Sequence, residues 1–548
     1  MKTLSDRRQF LIRMAGTAAA AATASIAARG ATTETVVVKT SKGQLRGARE
    51  QDYVVFKGVQ YAGPSEGANR FKGPTKLEPW TGVRDALEYG RMAMQNRDPQ
   101  APPDSILGPQ TENCQFLNIW TPSVSDGKKR AVMFYSHGGG FATGSGGWER
   151  SQSHDGSALS KNDDVVVITT NHRLGLFGYL YLGDILGEEY AASGNAGMLD
   201  IVQALDWVHD NIAQFGGDPG NVMIYGESGG GAKTSTLLAM PSAHGLFHKA
   251  SIESGPGIKM QPRETATATT KELLAFLGLS TSQARELLNV PAAKLLEFQQ
   301  KNVSAGRGTV GAFAPVVEGH YLPAHPFDPV APAISRNIPI IVGTNTDESI
   351  AQMRSHPLPE VEKLFNMTEE TLRERVRTAL GANADQADQV IEVVRRNRPK
   401  ASPTDLYVAI TTGMGTWYNS ILLAERKVQQ HGAPVFMYRF AYESEVPVAP
   451  NVNYPLKAAH GMEIVFKFDH PEMGRNAGNK PERFQAAKNM SRSWAAFAKT
   501  SNPSVEGLPP WPAYTLNERA TMILNTQCSV EKDPFAEERK LWEKIAKS

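Results

Sequence analysis

The stretch "IYGESGGGAKTS" (residues 224–235) sets Ser228 among Gly226, Gly229, Gly230 and Gly231, directly after an apolar run. Glycine inside a regular element costs about 0.5–1 kcal/mol relative to alanine. Four of them around one hydroxyl imply a turn too sharp for a Cβ, or a close approach of backbone. A strand, then Gly-Glu-Ser-Gly-Gly, then a helix is the G-x-S-x-G elbow. It lifts a serine hydroxyl above the C-terminal edge of a sheet, at a helix N-terminus whose dipole favours negative charge. The chemistry that fits is acyl transfer with Ser228 as nucleophile.

Acyl transfer also needs N–H donors aimed at the oxygen that becomes negative. "SHGGGFATGSGG" (136–147) offers consecutive glycine amides after a β-branched and aromatic run, and matches an HGGG-type oxyanion loop. Gly139, Gly140 and Gly229 are the predicted donors. His137 lies inside this loop and reads as structural rather than as a base. Composition alone does not choose a base among the 12 histidines.

Around these segments the pattern alternates between strand and helix. "RAVMFYS" (130–136), "DDVVVITTN" (163–171), "NVMIYG" (221–226), "IPIIVGTN" (338–345) and "APVFMYRFAY" (433–442) read as strands. Those apolar throughout suit parallel strands buried on both faces. "MLDIVQALDWVHDNIAQF" (198–215) puts Leu199, Val202, Leu205, Val208, Ile212 and Phe215 on one helical face, and "GGDPG" (216–220) is expected to stop it. The alternation predicts an α/β fold with a mostly parallel, doubly wound central sheet. Segments 260–310 and 355–430 read as large helical insertions over the strand ends, within one catalytic unit spanning 31–548.

The 58 basic and 56 acidic side chains nearly balance, and no basic run or RNA-binding motif adds to them, so a nucleic-acid partner is not expected. Residues 1–30 read as a signal peptide. Arg7 and Arg8 precede an alanine-rich stretch too short and weakly apolar to span a membrane, in the manner of a twin-arginine signal. No cysteine precedes Cys114, which excludes a lipid-anchor signal of the lipobox type. The expectation is export in the folded state to the periplasm or beyond, without stable membrane insertion. Two cysteines, Cys114 and Cys528, make no disulfide framework, and no His/Cys cluster has zinc spacing.

Together these motifs resemble the type-B carboxylesterases, the α/β-hydrolase family that includes the cholinesterases. "VVFKGVQYAGP" (54–64), "ENCQFLNIWTP" (112–122), "NHRLGLFGYL" (171–180), "GNAGMLDIVQALDWVHDNIAQFGGDPGNVMIYGESGG" (194–230) and "WAAFAKTSNPS" (494–504) carry the likeness. The resemblance implies a Ser-His-Glu triad. Its acid falls at Glu348 in "GTNTDES" and its base at His460 in "HGMEIVF", in the Ser…acid…His order also expected of the fold. Asp347 is the competing carboxylate. The resemblance further implies supporting roles for Glu227, Ser254 and Glu463, a small-molecule ester substrate, and no cofactor or metal.

There are departures from the family pattern. Asn113 stands where aspartate is usual, Ser349 and Gly229 replace a glycine and an alanine, and Cys114 has no earlier cysteine to pair with. A histidine base titrating near ~6.5 predicts loss of rate below neutral pH. The triad itself does not separate esters from carbamates, amides or lactones. A non-catalytic binding protein of this family typically lacks a triad member. A choline ester substrate would want a tryptophan in residues 87–113, and none is there. The sequence carries no signal for oligomeric state.

Overall fold

The strand leading to Ser228 sends its side chains alternately to two different cores. In the computed structural model, which describes residues 34–97, 108–147, 154–304 and 312–547, Val222 and Ile224 join one apolar core while Met223 and Tyr225 join another. Successive strand residues face opposite ways, so a strand apolar on both faces must be covered on both. Each fully buried aliphatic side chain contributes about 1.5–3 kcal/mol. The export signal read in residues 1–30 lies outside the described residues.

The main sheet has 13 strands. Its continuous path uses β1 (Thr35–Lys39), β2 (Gln44–Arg49), β3 (Val54–Gln60), β4 (Phe116–Thr121), β5 (Arg130–Ser136), β6 (Val166–Thr170), β7 (Gly217–Glu227), β8 (Lys249–Glu253), β9 (Ile340–Asn345), β10 (Val435–Phe440), β11 (Ala520–Leu524) and β12 (Ser529–Lys532). The spatial order is β1-β2-β3-β4-β6-β5-β7-β8-β9-β10-β11-β12, with the short strand Val83–Asp85 beside β2. Every pairing from β6 to β11 is parallel. The flanking pairings, β1 to β4 with β6 on one side and β11 with β12 on the other, are antiparallel.

Helices α1 (Ala196–Asn211) and α2 (Gly229–Leu237) pack on one face through Ile201, Leu205, Val208 and Leu237. Helices α3 (Glu463–Lys467) and α4 (Glu482–Thr500) cover the other through Phe466, Met490, Trp494 and Phe497. The predicted face is buried, its last two members, Ile212 and Phe215, on a 3-10 turn that follows α1, and Asp200 is buried with it. Its carboxylate takes two bonds from the Arg173 guanidinium, 2.9 and 2.7 Å, and one from the Arg173 amide. That pair fixes the "NHRLG" segment against α1.

The predicted stop at "GGDPG" holds at Gly216, whose φ is +77°. The chain then re-enters the sheet sooner than expected. Gly217 pairs with Arg130, and the register is irregular until Val222 meets Val132. Helices Arg263–Phe276, Ala292–Ser304, Glu369–Leu380, Ala387–Asn397 and Pro403–Thr412 occupy the predicted insertions. The last three close a separate small core with Leu541 and Trp542.

The parallel register decides where the chemistry sits. Glu227 pairs with Glu253, and Glu253 with Gly343. Ser228, Ser254 and the loop after Asn345 therefore leave the sheet at the same carboxyl-terminal edge, where α/β sheets place their ligand crevice.

Candidate active site

Ser228 has φ +57° and ψ −121°, a region that costs a side-chain-bearing residue of order 1–3 kcal/mol and persists only where its surroundings hold it. Its amide donates to the Glu253 carbonyl (2.9 Å), and its own carbonyl accepts from Ala232 (3.1 Å). The glycines around it serve close approach. A Cβ on Gly255 would stand 1.8 Å from the Ser228 carbonyl oxygen, and one on Gly229 would stand 2.2 Å from the Gly140 oxygen. Gly139 and Gly140 both take positive φ, +79° and +61°. The Gly139 carbonyl closes their turn by accepting from Ala142 (3.2 Å) and Thr143 (3.0 Å). The two predicted donor segments thus meet backbone to backbone beside the serine.

Glu348 and His460 are brought together. Glu348 Oε2 lies 2.5 Å from His460 Nδ1, and its Oε1 accepts from the Asn345 amide at 2.7 Å. Asp347 points elsewhere. Its Oδ2 accepts from the Ala458 amide (3.3 Å) and its own amide donates to the Ala458 carbonyl (3.0 Å), bracing the loop that carries His460. The other ring nitrogen of His460 faces Glu227 Oε1 at 3.3 Å. That is a charge contact off hydrogen-bond alignment, since the same oxygen has no hydrogen-bond partner. No hydrogen bond joins His460 to Ser228 among the described residues. Such bonds are often long in a resting site and tighten with substrate.

Behind this row lie Ser254 and Glu463. Ser254 Oγ donates to Glu463 Oε1 at 2.8 Å, and Asn345 Nδ2 donates to Oε2. A turn further along α3, Lys467 pairs with Glu253; both side chains are fully buried. Glu253 also accepts from Ser251 Oγ and from the Trp494 indole, each at 2.7 Å. The backbone carbonyl of Glu253 holds the Ser228 amide, so this pair ties the His460 side of the site to the elbow. Sequence reading passed over Lys467, Glu253 and Asn345. A charge inside "EIVFKF" or "KASIE" has no periodic signature that marks its burial.

The carboxylates set the protonation of the site. Burial alone disfavours the His460 imidazolium, but Glu227 and Glu348 outweigh it and raise its pKa to about 10. Burial raises Glu227 to about 7 and Glu463 to about 8, partly opposed by the His460 and Lys467 charges. These groups titrate as a set rather than singly. Asp347 is pushed up to about 6 by burial.

His137 is buried, bonds its own loop through Nδ1 to the Gly138 carbonyl (2.9 Å), and stacks on His172 at 4.8 Å. Burial first, and then the Lys233 charge, holds both rings neutral. A cavity of about 960 Å³ opens beside Phe141 and Ala232, lined further by Ile258, Met260 and Met414. A second, of about 350 Å³, lies behind Glu348 and is lined by His356, Tyr407 and Thr411. No cluster of metal-ligating side chains occurs among the described residues.

Comparison with known proteins bears on this geometry. The sequence model of the Carboxylesterase family matches residues 34–542. The chain belongs to the carboxylesterase family. With it goes the activity class, hydrolysis of carboxylic esters. The para-nitrobenzyl esterase of Bacillus subtilis (strain 168) is 35% identical over 508 residues, covering 92% of this chain and 97% of that protein. A medium-chain fatty acyl-CoA hydrolase precursor of Anas platyrhynchos is 32% identical, covering 97% and 95%. The crystal structure of a carboxylesterase from Geobacillus stearothermophilus superposes with a TM-score of 0.77 at 37% identity, covering 92% of this chain and 99% of that one. The fold is that of the α/β-hydrolases.

This carboxylesterase resolves its departures locally. Asn113 accepts the Ser65 amide at 2.8 Å. The neighbouring Glu112 pairs with Arg70, its two oxygens taking Nε and Nη2 at 2.8 and 2.5 Å. Cys114 is buried and free, and Cys528 is free and partly exposed. Among the described residues no helix is long and apolar enough to cross a membrane.

Proposed function

We propose that this carboxylesterase works through Ser228 as nucleophile, His460 as general base and Glu348 as the acid that orients it. The single observation that carries the reading is the 2.5 Å contact of Glu348 Oε2 with His460 Nδ1, on a loop facing the strained Ser228 elbow. In this reading, His460 Nε2 exchanges Glu227 for Ser228 Oγ when substrate enters. The imidazole takes the serine proton as Oγ attacks the ester carbonyl. The amides of Gly139, Gly140 and Gly229 receive the oxyanion. His460 then passes its proton to the leaving alcohol, and water repeats the sequence on the acyl-enzyme, returning Ser228 and releasing the acid. Glu227, Ser254 and Glu463 hold the histidine loop and its charge. The enzyme is proposed to act outside the cytoplasm after twin-arginine export, on small-molecule esters; the cavity beside Phe141 suits an apolar substituent.

The test is a panel of p-nitrophenyl esters of increasing chain length, run beside matched carbamate and anilide compounds, on wild type and Ser228→Ala. The reading expects turnover of esters well above the other two classes, lost in Ser228→Ala at unchanged melting temperature. Full ester turnover by Ser228→Ala would refute it.

A further inference from the structure

We propose that Lys233 is a positioning residue for the oxyanion loop, a strut from helix α2 that fixes the Gly139 and Gly140 amides relative to Gly229. The inference rests on the acyl-transfer reading of the site.

Lys233 is fully buried, and a buried ammonium is costly unless its protons are received. Its Nζ donates to the His137 carbonyl at 2.8 Å and stands 5.8 Å from the centre of the Phe141 ring. These two contacts bracket Gly138, Gly139 and Gly140, one on each side. The peptide planes between them are anchored in sequence. The His137 carbonyl is held by Lys233, and the Gly138 carbonyl by the His137 ring. The Gly139 carbonyl is held by the Ala142 and Thr143 amides. The second and third of these anchors come from the loop itself; the lysine is the one that crosses from another element.

That element matters. Helix α2 begins at Gly229, so the third oxyanion donor and the lysine share one rigid rod. The lysine side chain therefore sets the distance between the two halves of the hole. The short sequence "GGGAK" does both jobs. Gly229 lets the loop come within backbone contact, and Lys233 holds it there. A charge-assisted bond to a carbonyl is roughly twice as strong as a neutral one, which suits a strut whose partner is a glycine segment with no side chains of its own to pack.

The experiment uses Lys233→Met, which keeps an unbranched apolar stem and removes the ammonium, and Lys233→Gln. Each is measured for kcat and KM on p-nitrophenyl acetate, for melting temperature, and for inhibition by an aryl trifluoromethyl ketone, whose hemiketal oxygen occupies the hole. The expected result for Lys233→Met is a kcat lower by about 10- to 100-fold, KM within about twofold, and ketone inhibition weakened in proportion to kcat/KM. Lys233→Gln, which retains an N–H donor, should fall between. A folded Lys233→Met with wild-type kcat and ketone affinity overturns the proposal. So does failure of both variants to fold, which would assign Lys233 to stability. Wild-type enzyme that does not bind the ketone refutes the nucleophile reading, and the inference with it.

Discussion

Replacing Glu348 by glutamine separates the proposed orienting acid from its neighbour Asp347, and the structure says why the loss should be large. The carboxylate uses both oxygens as acceptors. One faces His460 Nδ1 and the other takes the Asn345 amide. Glutamine offers a single acceptor. If its oxygen stays on the histidine, its NH2 meets the buried Asn345 N–H, and an orphaned buried donor costs about 1–3 kcal/mol. If its oxygen takes Asn345, the NH2 faces Nδ1, and a neutral imidazole accepts that bond simply by moving its proton to Nε2. The second arrangement leaves nothing unpaired, so the amide should adopt it. The histidine is then the wrong tautomer to receive the serine proton, a loss on the order of 10⁴ in rate, equivalent to about 5.4 kcal/mol of barrier. Glu348→Gln should therefore lose roughly four orders of magnitude in kcat on a p-nitrophenyl ester, with KM and melting temperature little changed. Asp347→Asn keeps an oxygen for the Ala458 amide, and burial already pushes the aspartate up to about 6. It should retain activity within about threefold of wild type. Loss of activity in Asp347→Asn with Glu348→Gln near wild type would refute the assignment.

Three further outcomes are expected. His460 must be neutral at Nε2 to act as base, so a pKa raised to about 10 moves the acid limb of kcat/KM above the ordinary histidine range. Glu227 is the leading cause of that rise, so Glu227→Gln should shift the limb to lower pH by about 1–3 units; an unmoved limb would count against the charge contact. Gly229→Ala restores the residue usual in the family, but its Cβ would lie 2.2 Å from the Gly140 oxygen. It should cut kcat by roughly 10- to 100-fold as the loop retreats, and a variant within twofold of wild type would show that the loop yields freely. Replacing Arg7 and Arg8 by lysine should hold the precursor in the cytoplasm, measured by fractionation and esterase assay; unchanged export would point to the Sec route.

What could be read from the chain differs from element to element. The parallel strands were legible because Val132–Phe134, Val166–Ile168 and Val222–Ile224 are apolar on both faces, which few other elements demand. Helix α1 was legible from its period. The strand β2, "QLRGAR", has only Leu45 and Ala48 as apolar side chains and lies at the antiparallel end of the sheet, so its sequence carries too weak an alternation to stand out. At the site, the glycine motifs pointed to Ser228 and to the loop proposed to supply the donors. The proposed acid and base came from family resemblance, since nothing local separates Glu348 from Asp347 or His460 from other histidines. The buried Lys233 and Lys467 were missed for a physical reason: their partners are a carbonyl and a carboxylate far along the chain, and sequence spacing does not encode such pairings.

The most direct test of the account is covalent. Wild-type enzyme is treated with a p-nitrophenyl dialkyl phosphate, one equivalent of p-nitrophenol release is followed against loss of activity, and the digested protein is analysed by mass spectrometry. The account predicts a single dialkylphosphoryl adduct on the peptide containing Ser228, with strongly slowed labelling in Glu348→Gln. Full inactivation with the Ser228 peptide unmodified, and the adduct on another residue, would contradict it.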